Sequence, residues 1–350
     1  MTRQTEIYTM QQALRSLIEG NDLTREQARS VMSIIMNGEA TPAQIAGVAT
    51  AMRIKGETRD EITGFAEVMR SLSSHVRTEQ EGLLDTCGTG GSGIHKFNIS
   101  TASSIIAAAS GIRVAKHGNR AMSGKTGSAD VLEALGVQIT LSPEQAAACL
   151  EQIGICFMFA QLYHPSLRHA AAPRRELGIR TIFNMLGPLT NPAGADRQLL
   201  GLYDRSRTST VAEVMRDLGL KRALVVSSHD GLDEISISAP TQISELKDGV
   251  VRTFDLTPED IGLKRWPIEN VMGGEPAVNA ALIRSIFAGE ERGAYRDIVL
   301  ANAGACIYVG GLAESLREGA AIAAGVIDSG KAERKLEQLI QTTGELAHVS

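Results

Sequence analysis

Aromatic side chains are scarce in this sequence. Phenylalanine, tyrosine and tryptophan make up 4% of its 350 residues, with a single tryptophan. The core therefore has to be filled by aliphatic and small residues, as in closely stacked helix and sheet layers. Cysteine is equally sparse. Cys87, Cys149, Cys156 and Cys306 are scattered with no C-x-x-C pair, which argues against zinc or disulfides and reads as buried, reduced thiols in a cytoplasmic protein. No apolar run reaches membrane-spanning length, and the first 25 residues carry Arg3, Glu6, Arg15, Glu19, Asp22 and Arg25 rather than an apolar leader. Excess positive charge is missing too. The net charge of −5 argues against nucleic acid as a partner, since that calls for a basic face. Any anion the chain binds must meet locally placed cations.

Glycine, by contrast, is plentiful, at 35 residues, and four of them (Gly88, Gly90, Gly91, Gly93) fall within six positions of the stretch Asp85 to Thr101. Leu83 and Leu84 precede this stretch and the small-apolar run Ala102 to Gly111 follows it. That is the layout of a strand end, a bare loop and a helix start. Glycines admit positive φ and let amide N–H groups approach a ligand, and a following helix N-terminus adds unpaired donors and partial positive charge. A phosphate cradle is the functional reading; a glycine-rich turn without a ligand competes with it.

At this length two domains are expected. Residues 1 to about 80 read as helical throughout, with capping boxes at Thr24-x-x-Gln27, Thr41-Pro42-x-Gln44 and Thr58-x-x-Glu61. From Leu83 the pattern alternates strand and helix. Strands are expected at Ile112–Ala115, Val137–Thr140, Ile155–Phe159, Leu199–Tyr203, Ala223–Ser227 and Ile298–Ala301, and a fourth capping box at Ser142-Pro143-Glu144-Gln145 opens a helix. The fold class is therefore α/β, a small N-terminal helical domain followed by a larger domain with a mainly parallel central sheet. Ligands of such sheets sit beyond the carboxyl ends of the strands.

Four polar clusters follow expected strands. The opening loop satisfies G-x-G-x-x-G, yet no acidic residue follows the second strand to take a ribose diol, and Ile94 stands where a Walker A lysine belongs. Backbone donors with Asn98, Ser100 and Thr101 remain as an anion or ribose site. The second cluster, Lys116 to Ser128, brings Lys116, Arg120, Lys125 and Asn119 between a strand and a helix and reads as a second anion loop, or as a solvated face. The third, His164 to Arg180, is basic and includes the Arg174-Arg175 pair, suited to a planar carboxylate or phosphate, or simply a basic helix end. The fourth, His229 to Glu234, places Asp230, Asp233 and Glu234 after a strand, where carboxylates suit Mg²⁺ shared with substrate phosphates, or form an acidic turn. No nucleophile-and-base arrangement is present, so no acid/base catalytic residue is assigned.

These residues resemble the anthranilate phosphoribosyltransferase family over nearly the whole chain. The resemblance rests on the G-T-G-G loop with Asn98-Ile99-Ser100-Thr101, K-H-G-N-R at 116–120, G-S-A-D at 127–130, R-R-E-L-G-I-R-T-I-F-N at 174–184, L-G-P-L-T-N-P at 186–192, D-G-L-D-E at 230–234 and N-A-G-A at 302–305. It implies a helical domain over 1–80, joined by helices around 174–195, an α/β domain over 81–350, and a homodimer through the helical part. It implies transfer of a phosphoribosyl group from phosphoribosyl pyrophosphate to the amine of anthranilate, with release of pyrophosphate, in tryptophan biosynthesis. By motif position, phosphoribosyl pyrophosphate meets Gly88, Gly91, Ser92, Lys96, Asn98, Ile99, Ser100, Thr101, Lys116, His117, Gly118, Asn119, Arg120, Ala121, Met122, Ser123, Gly124 and Ser128. Anthranilate meets Gly88, Asn119 and Arg174, the last facing its carboxylate, while Ser100, Asp233 and Glu234 hold two Mg²⁺ per subunit.

Three positions depart from the family pattern. Ser92 stands where an aspartate is usual, Lys96 where a small hydroxyl residue is usual, and Ser123-Gly124 where a serine pair is usual. The expectation is that Lys96 takes a phosphate contact while Ser92 gives up an acidic one. Two alternatives share the scaffold: a pyrimidine-nucleoside-phosphorylase-like transferase, and a non-catalytic relative that binds nucleic acid. Arg174 favours a carboxylate-bearing acceptor over the first, and the negative net charge with Asp233-Glu234 disfavours the second.

Overall fold

The computed structural model describes residues 8–90, 93–121 and 125–348. The candidates Gly91, Ser92, Met122, Ser123 and Gly124 lie outside the described residues. The chain divides into two compact units, one of residues up to Ser74 together with His164–Thr190, the other of His75–Tyr163 together with Asn191 onward. The sequence expectation put the divisions at residue 80 and around 174–195; the compact units divide at 74, 163 and 190.

Four helices open the first unit: α1 (Met10–Ile18), α2 (Arg25–Met36), α3 (Pro42–Lys55) and α4 (Arg59–Ser71). Each starts at a threonine whose hydroxyl accepts the N3 amide while the N3 side chain accepts the threonine amide in return. The box at Thr9 was not read from the sequence; those at Thr24, Thr41 and Thr58 were. Glu61, the N3 residue of α4, is fully buried and does more than cap. Its carboxylate also accepts from the Leu23 amide at 2.9 Å and from Lys55 Nζ at 3.1 Å, tying the α1–α2 connection to α3 and α4. Helices α2 and α4 meet at Gly64, where a Cβ would lie 2.5 Å from the Arg25 carbonyl oxygen.

The second unit begins with β1 (Leu84–Gly88), α5 (Ile99–Ala109), β2 (Val114–Gly118), α6 (Ser128–Leu135), α7 (Pro143–Ile153), β3 (Ile155–Phe159) and the short α8 (Ala160–Tyr163). The chain then returns to the helical unit for α9 (Arg168–Leu177) and α10 (Phe183–Leu186). It completes the α/β unit with β4 (Arg197–Gly201), α11 (Thr208–Asp217), β5 (Arg222–Ser228), β6 (Thr241–Lys247), β7 (Val250–Leu256), α12 (Pro276–Phe287), α13 (Ala294–Val309), α14 (Leu316–Asp328) and α15 (Lys331–His348). The seven strands form one sheet in the order β3-β2-β1-β4-β5-β6-β7, parallel from β3 to β5 and antiparallel beyond. The chain builds outward from β1 in one direction through β3, then resumes beside β1 with β4. The β1–β4 boundary, where Gly88 is in register with Gly201, is therefore the switch point of the sheet.

Several expected elements come out differently. The second strand is shifted to Val114–Gly118. Val137–Thr140 forms no strand; Val137 and Ile139 are buried, but the Gln138 amide donates to the Thr343 hydroxyl of α15 instead of to a ladder. Ile298–Ala301 lies inside α13, a helix buried nearly all round, and a four-residue apolar run cannot distinguish that from a buried strand. The β6–β7 hairpin was not anticipated, although Asp248-Gly249, both at positive φ, is a strong turn signal.

Helices α13 and α14 approach closely because glycine faces glycine. A Cβ on Gly319 would sit 2.2 Å from the Gly304 carbonyl oxygen, and one on Gly304 would sit 2.5 Å from the Ala320 nitrogen. Both obstacles are backbone, so the helices themselves have to separate. Gly319→Ala is expected to cost about 1–3 kcal/mol, seen as a Tm lower by several degrees in a thermal melt; an unchanged Tm would contradict this packing.

Candidate active site

The turn that follows β5 crosses the β1–β4 boundary. Two glycines make room for it. A Cβ on Gly201 would lie 2.0 Å from the Asp233 carbonyl oxygen, and one on Gly88 would lie 2.9 Å from Asp233 Oδ2. Asp233 and Glu234 are both buried there. Asn302 of α13 clamps the next residue from both sides, its Oδ1 accepting from the Ile235 amide at 3.0 Å and its Nδ2 donating to the Ile235 carbonyl at 2.9 Å. The third carboxylate of the cluster, Asp230, is not a free ligand. It accepts from the Ser236 and Ser238 hydroxyls and from the Leu232 amide, so it stitches the turn together.

Lys96 reaches this turn from the opening loop. Its Nζ donates to Asp233 Oδ1 at 2.9 Å, to Glu234 Oε1 at 2.9 Å and to the Asp233 carbonyl at 3.0 Å. Burial disfavours the ammonium, but the two carboxylates outweigh it and hold the Lys96 pKa above its usual value. Burial likewise pushes the Glu234 carboxyl up, with Lys96 opposing and Asp233 adding to the rise. Lys96, for which a phosphate contact was expected, thus meets two carboxylates of the protein itself. The sequence offered no signal for it, because the partners are 137 and 138 residues away.

Asn98 precedes α5 and joins a polar network with the second anion loop. Its Nδ2 donates to the Thr126 carbonyl at 3.2 Å, and its Oδ1 accepts from Asn279 Nδ2 at 2.9 Å. Asn279 Oδ1 accepts the Gly274 amide, and the Thr126 hydroxyl returns to the Gly274 carbonyl at 2.7 Å. Ile99, Ser100 and Thr101 form the first turn of α5. Lys116, on β2, is buried, and its Nζ donates to the Thr86 carbonyl and, at 3.4 Å, to the Ser100 hydroxyl. Asp85, under the loop, accepts from the His117 amide at 3.1 Å. Burial raises its pKa to about 6, against the pull of the Asn191 hydrogen bond and the Lys116 charge.

Beyond β2, Gly118 has to be glycine, since a Cβ there would lie 2.2 Å from the Ser128 hydroxyl oxygen. Ser128 donates to the Asn119 carbonyl at 3.2 Å, and Asp130 holds the Ala121 and Gly127 amides. Arg120 is engaged by Asp130 and Glu133 and lies over the Phe159 ring, a partnership the phosphate reading did not foresee. The described part of the opening loop and the loops after β2 and β5 therefore lie on one sheet edge, as expected. Arg174 belongs to the helical unit, within α9, where its guanidinium lies 5.4 Å from the centre of the Phe183 ring. Burial lowers its pKa, and no carboxylate pairs with it among the described residues.

Among the described residues the edge offers backbone donors, the Lys116 ammonium and hydroxyls to an anion, and no nucleophile-and-base pair. Two buried carboxylates suit one Mg²⁺ completed by phosphate oxygens. As the side chains stand, however, the pair does not fit a divalent ion, because Lys96 Nζ already occupies the position between Asp233 and Glu234.

The comparisons with known proteins bear on this site. The Glycosyl transferase family a/b domain matches residues 80–333, and the helical bundle domain of the same family matches residues 11–73. An anthranilate phosphoribosyltransferase of Brevibacillus brevis is 51% identical over 338 residues, covering 97% of this chain and 99% of that protein. The crystal structure of an anthranilate phosphoribosyltransferase from Thermus thermophilus superposes with a TM-score of 0.90 at 44% identity, over 95% of this chain and 99% of that one. A Saccharomyces cerevisiae enzyme of the same name, solved with phosphoribosyl pyrophosphate and Mg, shares the fold at 24% identity with a TM-score of 0.88, over 96% and 98% of the two chains.

Proposed function

Because the chain belongs to the anthranilate phosphoribosyltransferase family, we propose how its residues serve the transfer of a phosphoribosyl group from phosphoribosyl pyrophosphate to anthranilate, the step this family contributes to tryptophan biosynthesis. In that reaction the bond from the anomeric carbon to the pyrophosphate oxygen breaks, and a bond from the anthranilate nitrogen forms. The nitrogen then sheds one proton. It attacks as a neutral amine, so no strong base is demanded, and catalysis rests on positioning and on stabilising the departing diphosphate.

The α/β edge suits that task. Asn98, Ser100, Thr101 and the residues Lys116 to Ala121, with Ser128, hold the phosphoribosyl substrate in this reading. Lys116 supplies the buried positive charge. Gly88 and Asn119 border the acceptor, and Arg174 of the helical unit takes its carboxylate. Gly91, Ser92, Met122, Ser123 and Gly124 join the phosphoribosyl contacts by motif position. Mg²⁺ accompanies the diphosphate, to which hard divalent cations bind readily. Residence in the cytoplasm and a homodimer through the helical unit complete the reading; the exposed Ile18 and Ile54 on α1 and α3 support the latter.

The observation that carries most weight is the meeting of the loops after β1, β2 and β5 on one edge, with the Asp233 turn set into the switch point by Gly88 and Gly201. Loss of anthranilate fluorescence on mixing with phosphoribosyl pyrophosphate and Mg²⁺ tests it, with thymidine plus phosphate as the competing substrate pair. No turnover at any Mg²⁺ concentration would overturn it. Arg174→Ala is expected to raise KM for anthranilate by about 10- to 100-fold, the worth of one hydrogen bond to a charged group, and to leave KM for phosphoribosyl pyrophosphate nearly unchanged. Equal changes in both constants would remove Arg174 from the acceptor role.

A further inference from the structure

The ammonium of Lys96 has three hydrogens, and the Asp233–Glu234 turn offers three acceptors: Asp233 Oδ1, Glu234 Oε1 and the Asp233 carbonyl, all within 3.0 Å. The group is therefore saturated where it stands. Its side chain is 17% exposed, against 1% and 4% for the two carboxylates, so the ion pair is largely withdrawn from solvent. The backbone that delivers it is pinned. Lys96 bridges to Met272, the Gly273 amide donates to the His95 carbonyl at 2.6 Å, and the Phe97 amide donates to the Val271 carbonyl. Gly273 lies so close that a Cβ there would be 2.6 Å from the Phe97 nitrogen. Lys96 is thus held on the carboxylates from both ends.

Mg²⁺ requires short contacts to carboxylate oxygens in near-octahedral order. At this turn, one oxygen of each carboxylate already accepts from Lys96, and an ammonium beside a divalent ion repels it. We propose that Lys96 is a built-in cation that takes the place of a divalent ion on Asp233 and Glu234, so that the Mg²⁺ this chain uses is bound to the diphosphate of its substrate and not to that pair. The proposal rests on the phosphoribosyltransferase reading and narrows its metal requirement from two ions per subunit to one.

Counting bound Mn²⁺ tests it. Full-length protein is titrated with Mn²⁺ while the electron paramagnetic resonance signal of the free ion is followed, first alone and then with phosphoribosyl pyrophosphate and no acceptor. The unaltered protein is expected to bind no Mn²⁺ alone and one per subunit with the substrate. Lys96→Ser opens the carboxylate pair and is expected to bind one more ion in each condition, with the extra ion lost again in Lys96→Ser/Asp233→Asn. Two ions per subunit in the unaltered protein with substrate, or an unchanged count in folded Lys96→Ser, would overturn the proposal. The count in the unaltered protein decides the matter even if the variant fails to fold. Anthranilate consumption by the same unaltered stock reports separately on the reaction, so a failure of the metal proposal is distinguishable from a failure of the activity.

Discussion

Gly201→Ala lowers kcat/KM for phosphoribosyl pyrophosphate by at least about a hundredfold while the α/β unit stays folded. The new methyl would sit 2.0 Å from the Asp233 carbonyl oxygen and 2.8 Å from its carbon. Real contacts of this kind require well over 3 Å, so the turn has to move by about an ångström. Strand β4 is held on both sides by parallel neighbours, in register with β1 and β5, and yields less readily than a turn. The displaced turn carries Asp233 and Glu234 with it and pulls against Lys96, which is bonded to the same carbonyl. Misplacement by about 1 Å in a positioned site costs on the order of 10² in rate. The strain on the fold is that of ordinary overpacking, about 1–3 kcal/mol. Steady-state kinetics alongside circular dichroism separates the two effects. Activity within a few-fold of the unaltered protein would mean that the Asp233 turn does not need its present seat.

Gly201 also illustrates what was legible in the sequence. It lies in the run Leu199 to Tyr203 and reads there as an unremarkable interruption of a strand. Its necessity arises only when a turn more than thirty residues later crosses it. Signals confined to a few residues were readable. The threonine boxes at 24, 41 and 58 open helices because cap and partner are three residues apart. The strands at Ile155 and Ala223 are short apolar runs between turn residues, and they form as expected. The acidic turn was read as carboxylates beyond a strand end, which is where it lies. Within it, the distinction between Asp230 and its neighbours was not readable, because serines at 236 and 238 decide it.

The sequence marks Lys96 as a departure from the family pattern, but not the carboxylates it meets. Placed beside a glycine-rich phosphate loop, a lysine is most simply read as a phosphate ligand. Its actual partners come from β5's far end, across the switch point, and no local pattern reports them. The same holds for Asn302, which stood out as part of a motif without a role. Only the packing of α13 against the Asp233 turn reveals it as the residue that positions Ile235. The basic cluster around Arg174 follows a strand in sequence, yet the chain leaves the α/β unit at His164, so the cluster belongs to the helical unit.

Lys116→Met is expected to destabilise the protein in a strongly pH-dependent way, and Asp85 supplies the reason. The buried Asp85 carboxyl has its pKa raised from 3.8 to about 6. Between those values the folded state keeps a proton that the unfolded state has released. Stability therefore falls as pH rises through this window, by about 3 kcal/mol once the pH is above 6. Lys116 limits that fall, because its charge favours the ionised carboxylate. Without it the Asp85 pKa climbs further, the window extends upward, and the loss grows. Glu234 moves the same way, since Lys116 also holds its raised pKa down. At pH 5 Asp85 is largely neutral, and the variant pays mainly for the Thr86 carbonyl left without its donor, about 1–3 kcal/mol. At pH 8 the uncompensated buried charge brings the total to about 3–5 kcal/mol. The Tm gap between Lys116→Met and the unaltered protein should thus widen from pH 5 to pH 8, and adding Asp85→Asn should remove most of the widening. A gap that stays constant across that range would mean that Lys116 does not stabilise the Asp85 charge, and that its part in the site is confined to Ser100 and the substrate.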